Sequence, residues 1–452
     1  MGRKKRINNS LLAIFVVIIL AITIASFWYN PLGLVNVPYT ALDQKVEPVV
    51  LENGLTVTVK EIPSIPLVTI QFWVHAGGKD EPLEYKGIAH IFEHIWFKGT
   101  ATQPVGSFHK KVESLGGDLN AMTSLDWTTY FVTVPADKFE EIFPYMTDLL
   151  FNPLFDETEI QKEKEVIFEE QRLVDSNPEQ YLDEKFTSLL VDEHPYKHPI
   201  IGYKETIEAA ANKEPLQEFY NTWYVPNNMN IIIAGNINKE ETIAKVQDAF
   251  KDFKPKELPK QIRPVQLPNT TPKYATSKKN VGNTYIAIGY TMPEASHKDK
   301  YAAILLNTIF SEGESSRLQK EIKKEKHLIV SGKSNYYALN ELGAFETIII
   351  VEPEKTSAAK AEVLLQLERF KTETVGEEEL KKAKTIIKAE RLKSHEEVFQ
   401  IGFDIGNAWI DGNIHEYSTF IENINKVTAK DIQRVANNYF KGYTLYEVKP
   451  KI

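Results

Sequence analysis

The chain contains no cysteine. Disulfides, thiolate metal ligands and cysteine nucleophiles are therefore excluded, and nothing in it could mispair in an oxidising compartment. Histidine is scarce, ten in 452 residues, so a close grouping of imidazoles carries weight. Low-complexity tracts are missing, as are a P-loop, a dinucleotide fingerprint and a serine nucleophile elbow. Basic charge is in deficit: 53 Lys and Arg stand against 62 Asp and Glu, a net −9. An acidic body argues against nucleic acid as a partner, and solubility is reason enough for it.

Long apolar runs are limited to one, residues 11–27, broken only by Thr23 and Ser26. It follows Arg3, Lys4, Lys5 and Arg6 and leads into Trp28 and Tyr29. A span of roughly 17–25 apolar residues can cross a bilayer as a helix, and basic residues before it favour a cytoplasmic N-terminus. Residues 1–30 thus read as an N-terminal transmembrane anchor or signal segment. Length and flanks favour an uncleaved anchor in the inner membrane over a cleaved signal peptide. Either way the body is expected to be exported, with the periplasm as its place.

What is present is a globular composition, 42% hydrophobic and 25% charged, at a length that calls for two or more cores. Strand-like periods at 55–61, 67–77, 128–135 and 229–237 are interleaved with helix-like ones. The helical stretches are 88–97, 138–151, 157–174, 178–191, 205–223 and 240–250. Pro255, Pro259, Pro264, Pro268 and Pro272 then remove backbone donors and fix φ, so 253–272 should be an extended linker. Beyond it the scheme restarts, with strands at 284–291, 333–339 and 344–351. Helices follow at 301–310, from Lys355 and from Glu377. Irregular interleaving of this kind points to the α+β class, sheets with helices packed on them. A faint repeat lays 89–99 on 303–313, with His90, Glu93 and His94 falling on Ile304, Asn307 and Thr308.

Residues 87–100 read GIAHIFEHIWFKGT. On a helix, i, i+3 and i+4 share a face, so His90, Glu93 and His94 form one polar stripe among apolar neighbours. Buried polar groups left unpaired cost about 1–3 kcal/mol each, and a metal ion held by both imidazoles removes that cost. Two satisfied core histidines at accidental spacing is the weaker reading in a chain so poor in histidine. A catalytic zinc takes three protein ligands and keeps one position open. Residues 163–172, EKEVIFEEQR, place Glu163 and Glu170 seven apart on one helical face, with Glu169 one position off it. Taken alone, such an acidic helix reads as a solvated surface. His194 and His198 are read as loop residues, because Pro195 and Pro199 forbid a regular helix there.

The stripe is the inverted zinc motif H-x-x-E-H. With NGLTVTV from Asn53, AGGKDEP from Ala76, LGGDLNAMTSLDWTTY from Leu115 and EKEVIFEE from Glu163, it resembles the pitrilysin-type (M16) metallopeptidases. The likeness is to the short subfamily that includes the mitochondrial processing peptidase and many bacterial relatives, and it covers about residues 45–450. Weaker matches lie at HPY from His194 and WYVPNNM from Trp223.

The resemblance implies two homologous α+β domains, each a mostly antiparallel β-sheet with helices packed on one face, closing like a clam around an extended peptide. Residues 45–252 would be the zinc-bearing domain, 253–275 the proline-rich linker and 276–452 a second domain lacking the zinc motif. It implies His90, His94 and Glu170 as ligands of Zn2+, Glu163 as a supporting carboxylate, and Glu93 as general base on the attacking water. Asn120 and Ala121 would belong to the edge strand that receives the substrate backbone. The activity implied is that of a zinc metalloendopeptidase acting on extended peptides or unfolded segments.

One departure stands out. Where the family has an Arg and, seven residues on, a Tyr, this chain has Lys323 and Val330. Lysine lacks the planar fork of arginine, and valine has no hydroxyl. A partner subunit of the same fold, in a hetero- or homodimer, is the favoured source of the missing pair. Substitution by Tyr336 or Tyr337, or a slow enzyme, are the alternatives. The rival to an enzyme is a non-catalytic scaffold or zinc-binding subunit, which would have no need of Glu93.

Overall fold

Two β-sheets, each wound from one half of the sequence, organise what the computed structural model describes, residues 45–451 apart from 262, 265 and 267. In the first half the strands are β1 (Val49–Val50), β2 (Thr56–Glu61), β3 (Leu67–Val74), β4 (Asp118–Thr123), β5 (Thr128–Pro135) and β6 (Met229–Gly235). Its helices are α1 (Ile88–Trp96), α2 (Ser107–Ser114), α3 (Phe139–Phe151), α4 (Glu157–Ser176), α5 (Pro178–Leu190), α6 (Lys204–Ala210), α7 (Lys213–Trp223) and α8 (Lys239–Phe250). The second half contributes β7 (Lys273–Lys279), β8 (Thr284–Met292), β9 (Ser331–Ala338), β10 (Gly343–Val351) and β11 (Thr444–Pro450). Its helices are α9 (Lys300–Ser311), α10 (Thr356–Thr372), α11 (Glu377–Ser394), α12 (Val398–Ile410), α13 (Glu416–Lys426) and α14 (Ala429–Tyr439), with a π-helix at Leu318–Glu325.

The sheet orders are β1-β2-β6-β3-β5-β4 and β7-β11-β8-β10-β9. Among the described strands only β2–β6 and β7–β11 pair in parallel, so both sheets are mostly antiparallel, as expected. Strand alternation decides which face each side chain serves. On β3, Val68, Ile70, Phe72 and Val74 join the core beneath the helices of the first half. Thr69, Gln71 and Trp73 point the other way, and there a helix of the second half, α12, covers them. The second sheet mirrors this. Ile286, Ile288, Phe345 and Ile349 face their own helices, while Ala287, Ile348 and Val448 are covered by Leu182, Phe186 and Leu190 of α5. Each half therefore lends one helix to the other's sheet. The close approach of α12 needs glycine: a Cβ on Gly406 would stand 2.1 Å from Trp73 Cε2.

The proline-rich stretch has no helix or strand among the described residues from 253 to 272. Arg263 pins it by pairing with Asp80 of the first half and Glu341 of the second. The single helix expected over 205–223 is two, because the chain breaks at Ala211 and Asn212 between α6 and α7.

The expectation of a membrane-anchored, periplasmic body is corrected. None of the described helices is long and apolar enough to cross a membrane. The segment on which that expectation rested, residues 1–30, lies outside the described residues.

Candidate metal centre

Helix α1 starts where Gly87 turns with φ +102°. A Cβ there would meet Ile201 O at 2.6 Å, so only glycine lets the two segments pass. Its first turn is held by a side chain from the preceding loop. The buried Glu81 accepts from the N–H groups of Gly87 and Ala89, both at 2.9 Å. The side chain there satisfies two of the helix's orphan donors, and burial pushes its carboxyl up to about 8 against the pull of those N–H groups and of Lys86. Ile88, Ala89, Ile91, Phe92, Ile95 and Trp96 press the helix into the core, and the polar stripe is left between α4 and β4.

Nε2 of His90 and Nε2 of His94 lie 3.8 and 3.7 Å from Oε2 of Glu170. One ligand atom from each of the three falls within 4.8 Å of the others. Such gaps are too long for hydrogen bonds. Two atoms each about 2.1 Å from one tetrahedral zinc sit roughly 3.4 Å apart, so a small inward movement would make the triangle a ligand set. The donors are of the right type, two imidazoles and a carboxylate. His90 Nδ1 is buried without a partner among the described residues. Burial, then His94, pushes the His90 ring down to about 3, which keeps it in the neutral form that ligates metals.

His94 Nδ1 donates to Glu163 Oε2 at 3.0 Å. A carboxylate only accepts, so this bond selects the tautomer whose Nε2 lone pair is free on the Glu170 side. Lys98 Nζ approaches the other Glu163 oxygen at 2.6 Å. Burial lowers the His94 pKa, but the Glu163 bond and the charges of Glu170 and Glu93 outweigh it, and the net direction is up. The surplus of negative charge that favours a proton on His94 equally favours a cation between the rings.

Glu93 faces the same cavity and accepts a hydrogen bond from Thr123 Oγ1 of β4. Burial raises its carboxyl, with the Thr123 bond opposing. No sequence pattern points to Thr123 except its place two residues past Ala121 in LGGDLNAMTS. The second half repeats the arrangement without the acid. Ser334 Oγ of β9 donates at 2.6 Å to Oδ1 of Asn307, the residue aligned with Glu93.

β4 is the edge of its sheet and pairs only with β5 among the described strands. Asn120 is exposed and Ala121 buried, and the Ala121 N–H donates to Asn120 Oδ1 at 2.9 Å. A cavity of about 580 Å3 is walled by His90, Glu93, Glu170 and Thr123, with apolar Met122, Leu125, Val174, Ile200 and Ile201. Gln180, Asp183 and Glu184 of α5 complete part of its wall. Lys323 sits on the π-helix and Val330 is exposed before β9, and neither borders this cavity. Tyr336 is committed to Pro293 O at 2.6 Å. His194 is bonded to Glu341 at 2.7 Å.

The family model described as Insulinase (Peptidase family M16) matches residues 56–204, and that described as Peptidase M16 inactive domain matches 210–387. The chain belongs to peptidase family M16. Zinc protease PqqE of Helicobacter pylori is 28% identical over 408 residues, covering 88% of this chain and 90% of that protein. Uncharacterized zinc protease YmxG of Bacillus subtilis is 26% identical over 401 residues, 88% of this chain and 97% of that one. The crystal structure of a protease from Helicobacter pylori superposes with a TM-score of 0.85 at 26% identity, over 90% of this chain and 99% of that chain. A peptidase M16 inactive domain from Pseudomonas fluorescens, at 17% identity and TM-score 0.83, shares the fold. Within this M16 chain the polar stripe occurs only in the half matched by the Insulinase model, and its counterpart positions in the other half are Ile304, Asn307 and Thr308.

Proposed function

We propose that this chain is a zinc-dependent endopeptidase that hydrolyses extended peptides or unfolded segments. In this reading His90, His94 and Glu170 hold Zn2+, Glu163 orients His94, and Asn120 and Ala121 on the free edge of β4 receive the substrate backbone. The domains follow the motif: 45–252 bears zinc, 253–275 links, and 276–452 lacks the site. The observation that carries the proposal is the convergence of both Nε2 atoms on one Glu170 oxygen, with Glu93 facing the same cavity. The zinc protease names of relatives that match nearly nine-tenths of the chain point the same way.

When bound, zinc polarises the scissile carbonyl and makes water a better nucleophile near neutral pH. Glu93 takes the proton of the attacking water at its carboxylate and passes it to the leaving amine. Thr123 holds that carboxylate in place, and α1, clamped by Glu81, keeps it one helical turn from His90 and beside His94. The positions where the family resemblance places an Arg/Tyr pair, Lys323 and Val330, lie away from the cavity. An M16-like partner subunit supplying those groups fits this gap. A non-catalytic, zinc-binding subunit is the second reading, favoured by the same gap and opposed by Glu93.

Glu93→Gln tests the assignment. The variant should retain one zinc per chain and lose at least about 100-fold in peptide hydrolysis. Full activity in that variant would remove Glu93 from the mechanism, and absence of stoichiometric zinc in the wild type would remove the site.

A further inference from the structure

Glu170 occupies the least anchored part of its helix. The buried residues of α4 end at Phe168, and none of 169–176 is buried. The Glu170 side chain is 38% exposed, against 11% for Glu163. The Glu163 bond to His94 holds the helix about two turns before Glu170. Beyond Phe168 the third carboxylate would move with the helix end unless a further contact tied that end to α1.

One side chain makes that contact. Gln171 Nε2 donates to the carbonyl of Gly202 at 3.1 Å, and Gly202 is seated on the start of α1. Its φ is +82°, and a Cβ on it would stand 2.1 Å from Lys86 O and 2.9 Å from Gly87 Cα. The two segments thus touch backbone to backbone, which only glycine permits. The Gly202 N–H closes a turn onto Pro199 O at 3.0 Å, and Thr206 Oγ1 donates to Lys86 O at 2.7 Å. Lys86, fully buried, donates in turn to the carbonyls of Gly78 and Glu81. The Gln171 bond therefore leads, through a rigid crossing, to the first turn of the helix that carries His90. A second tie near this end of α4, Lys279 to Asp175 O, leads instead to β7 and the second half.

We propose that Gln171 is a positioning residue for the metal centre. It touches neither metal nor substrate; it fixes the end of α4 against α1, so that Glu170 stands opposite both imidazoles. With the backbone held, the gaps of 3.7 and 3.8 Å close onto a cation by movement of side chains alone. The inference rests on the zinc assignment of the peptidase reading, and its test needs no turnover.

Gln171→Leu removes the donor and keeps most of the volume. Gln161→Leu is the matched control, since Gln161 makes the same kind of bond from α4, Nε2 to Ala211 O at 3.0 Å. The full chain, stripped of metal, is titrated with Zn2+ against a chelator and with Co2+ by visible absorption. Gln171→Leu should weaken zinc binding at least about tenfold and alter the intensity of the Co2+ bands, which report ligand geometry. Gln161→Leu should match the wild type in both, although each variant lowers Tm. Unchanged zinc affinity and cobalt spectrum in Gln171→Leu would overturn the proposal. Equal losses in the two variants would also overturn it, by making the bond a general support of the helix. A wild type that binds no zinc removes the zinc reading and the inference together, whereas zinc held equally by wild type and Gln171→Leu removes the inference alone.

Discussion

His94 and Glu163 are joined by a 3.0 Å bond from Nδ1 to Oε2, and Lys98 holds the other oxygen of the same carboxylate at 2.6 Å. The imidazole is thus aimed from behind. Bonds of this kind fix ring orientation, and losing one typically costs about 10–100-fold in metal affinity. Glu163→Gln keeps the size of the side chain but turns half of it into a donor. It should weaken zinc binding by about that factor while leaving the fold intact, as read by competition with a chelator and by circular dichroism.

Thr123 and Glu93 provide a sharper test of positioning. Thr123→Val removes the hydroxyl and little volume. Hydrogen bonds to charged groups contribute about 1.5–3 kcal/mol, so kcat should fall at least about tenfold with zinc content unchanged. An unaltered kcat would mean that Glu93 is held by the helix alone.

Local spacing makes much of the centre legible in the sequence. A stripe at i, i+3 and i+4 in an otherwise apolar segment has one helical solution, and α1 spans 88–96 where the pattern implies 88–97. Glu163 and Glu170 share a face of α4 because seven residues is close to two turns. Less legible are elements whose stability comes from distant partners. β7, KYATSKK, is lysine-rich and begins inside the expected linker of 253–275, yet it pairs with β11 from the far end of the chain. α12 carries Gly402 and Gly406, which lower helix propensity; their use appears only when Trp73 and Gln71 are set against them. Glu81 and Thr123 act on α1 across loops whose path no local pattern specifies.

Gly406 therefore yields its own prediction. Overpacking a filled contact typically costs about 1–3 kcal/mol. Gly406→Val places its branches in the ring of Trp73 and should lower Tm accordingly, with a rise in tryptophan exposure to quenchers. A neutral result would show that α12 can shift on the sheet.

Asp411, at the end of α12, adds a pH dependence. Burial raises its carboxyl to about 6, Lys300 opposing and Glu416 assisting. A carboxyl that binds its proton more tightly when folded contributes stability that is complete below the unfolded value, near 4, and is lost as pH rises through 6. Asp411→Asn removes that loss. Relative to the wild type, the variant should gain about 1–3 kcal/mol between pH 5 and pH 7.5, measured by urea unfolding at each pH. A difference that stays flat across the range would place the cause elsewhere.

α5 and α12 each belong by chain order to one half and by burial to the other. A protease nick between 253 and 272 would accordingly leave two fragments that stay clasped. Conversely, 45–252 or 276–452 produced alone would bare the sheet face that the absent helix normally shields, Trp73 in one case and Ile348 in the other, and would be driven to aggregate. On this account the native state depends less on the peptide bond joining the halves than on the mutual cover that α5 and α12 provide.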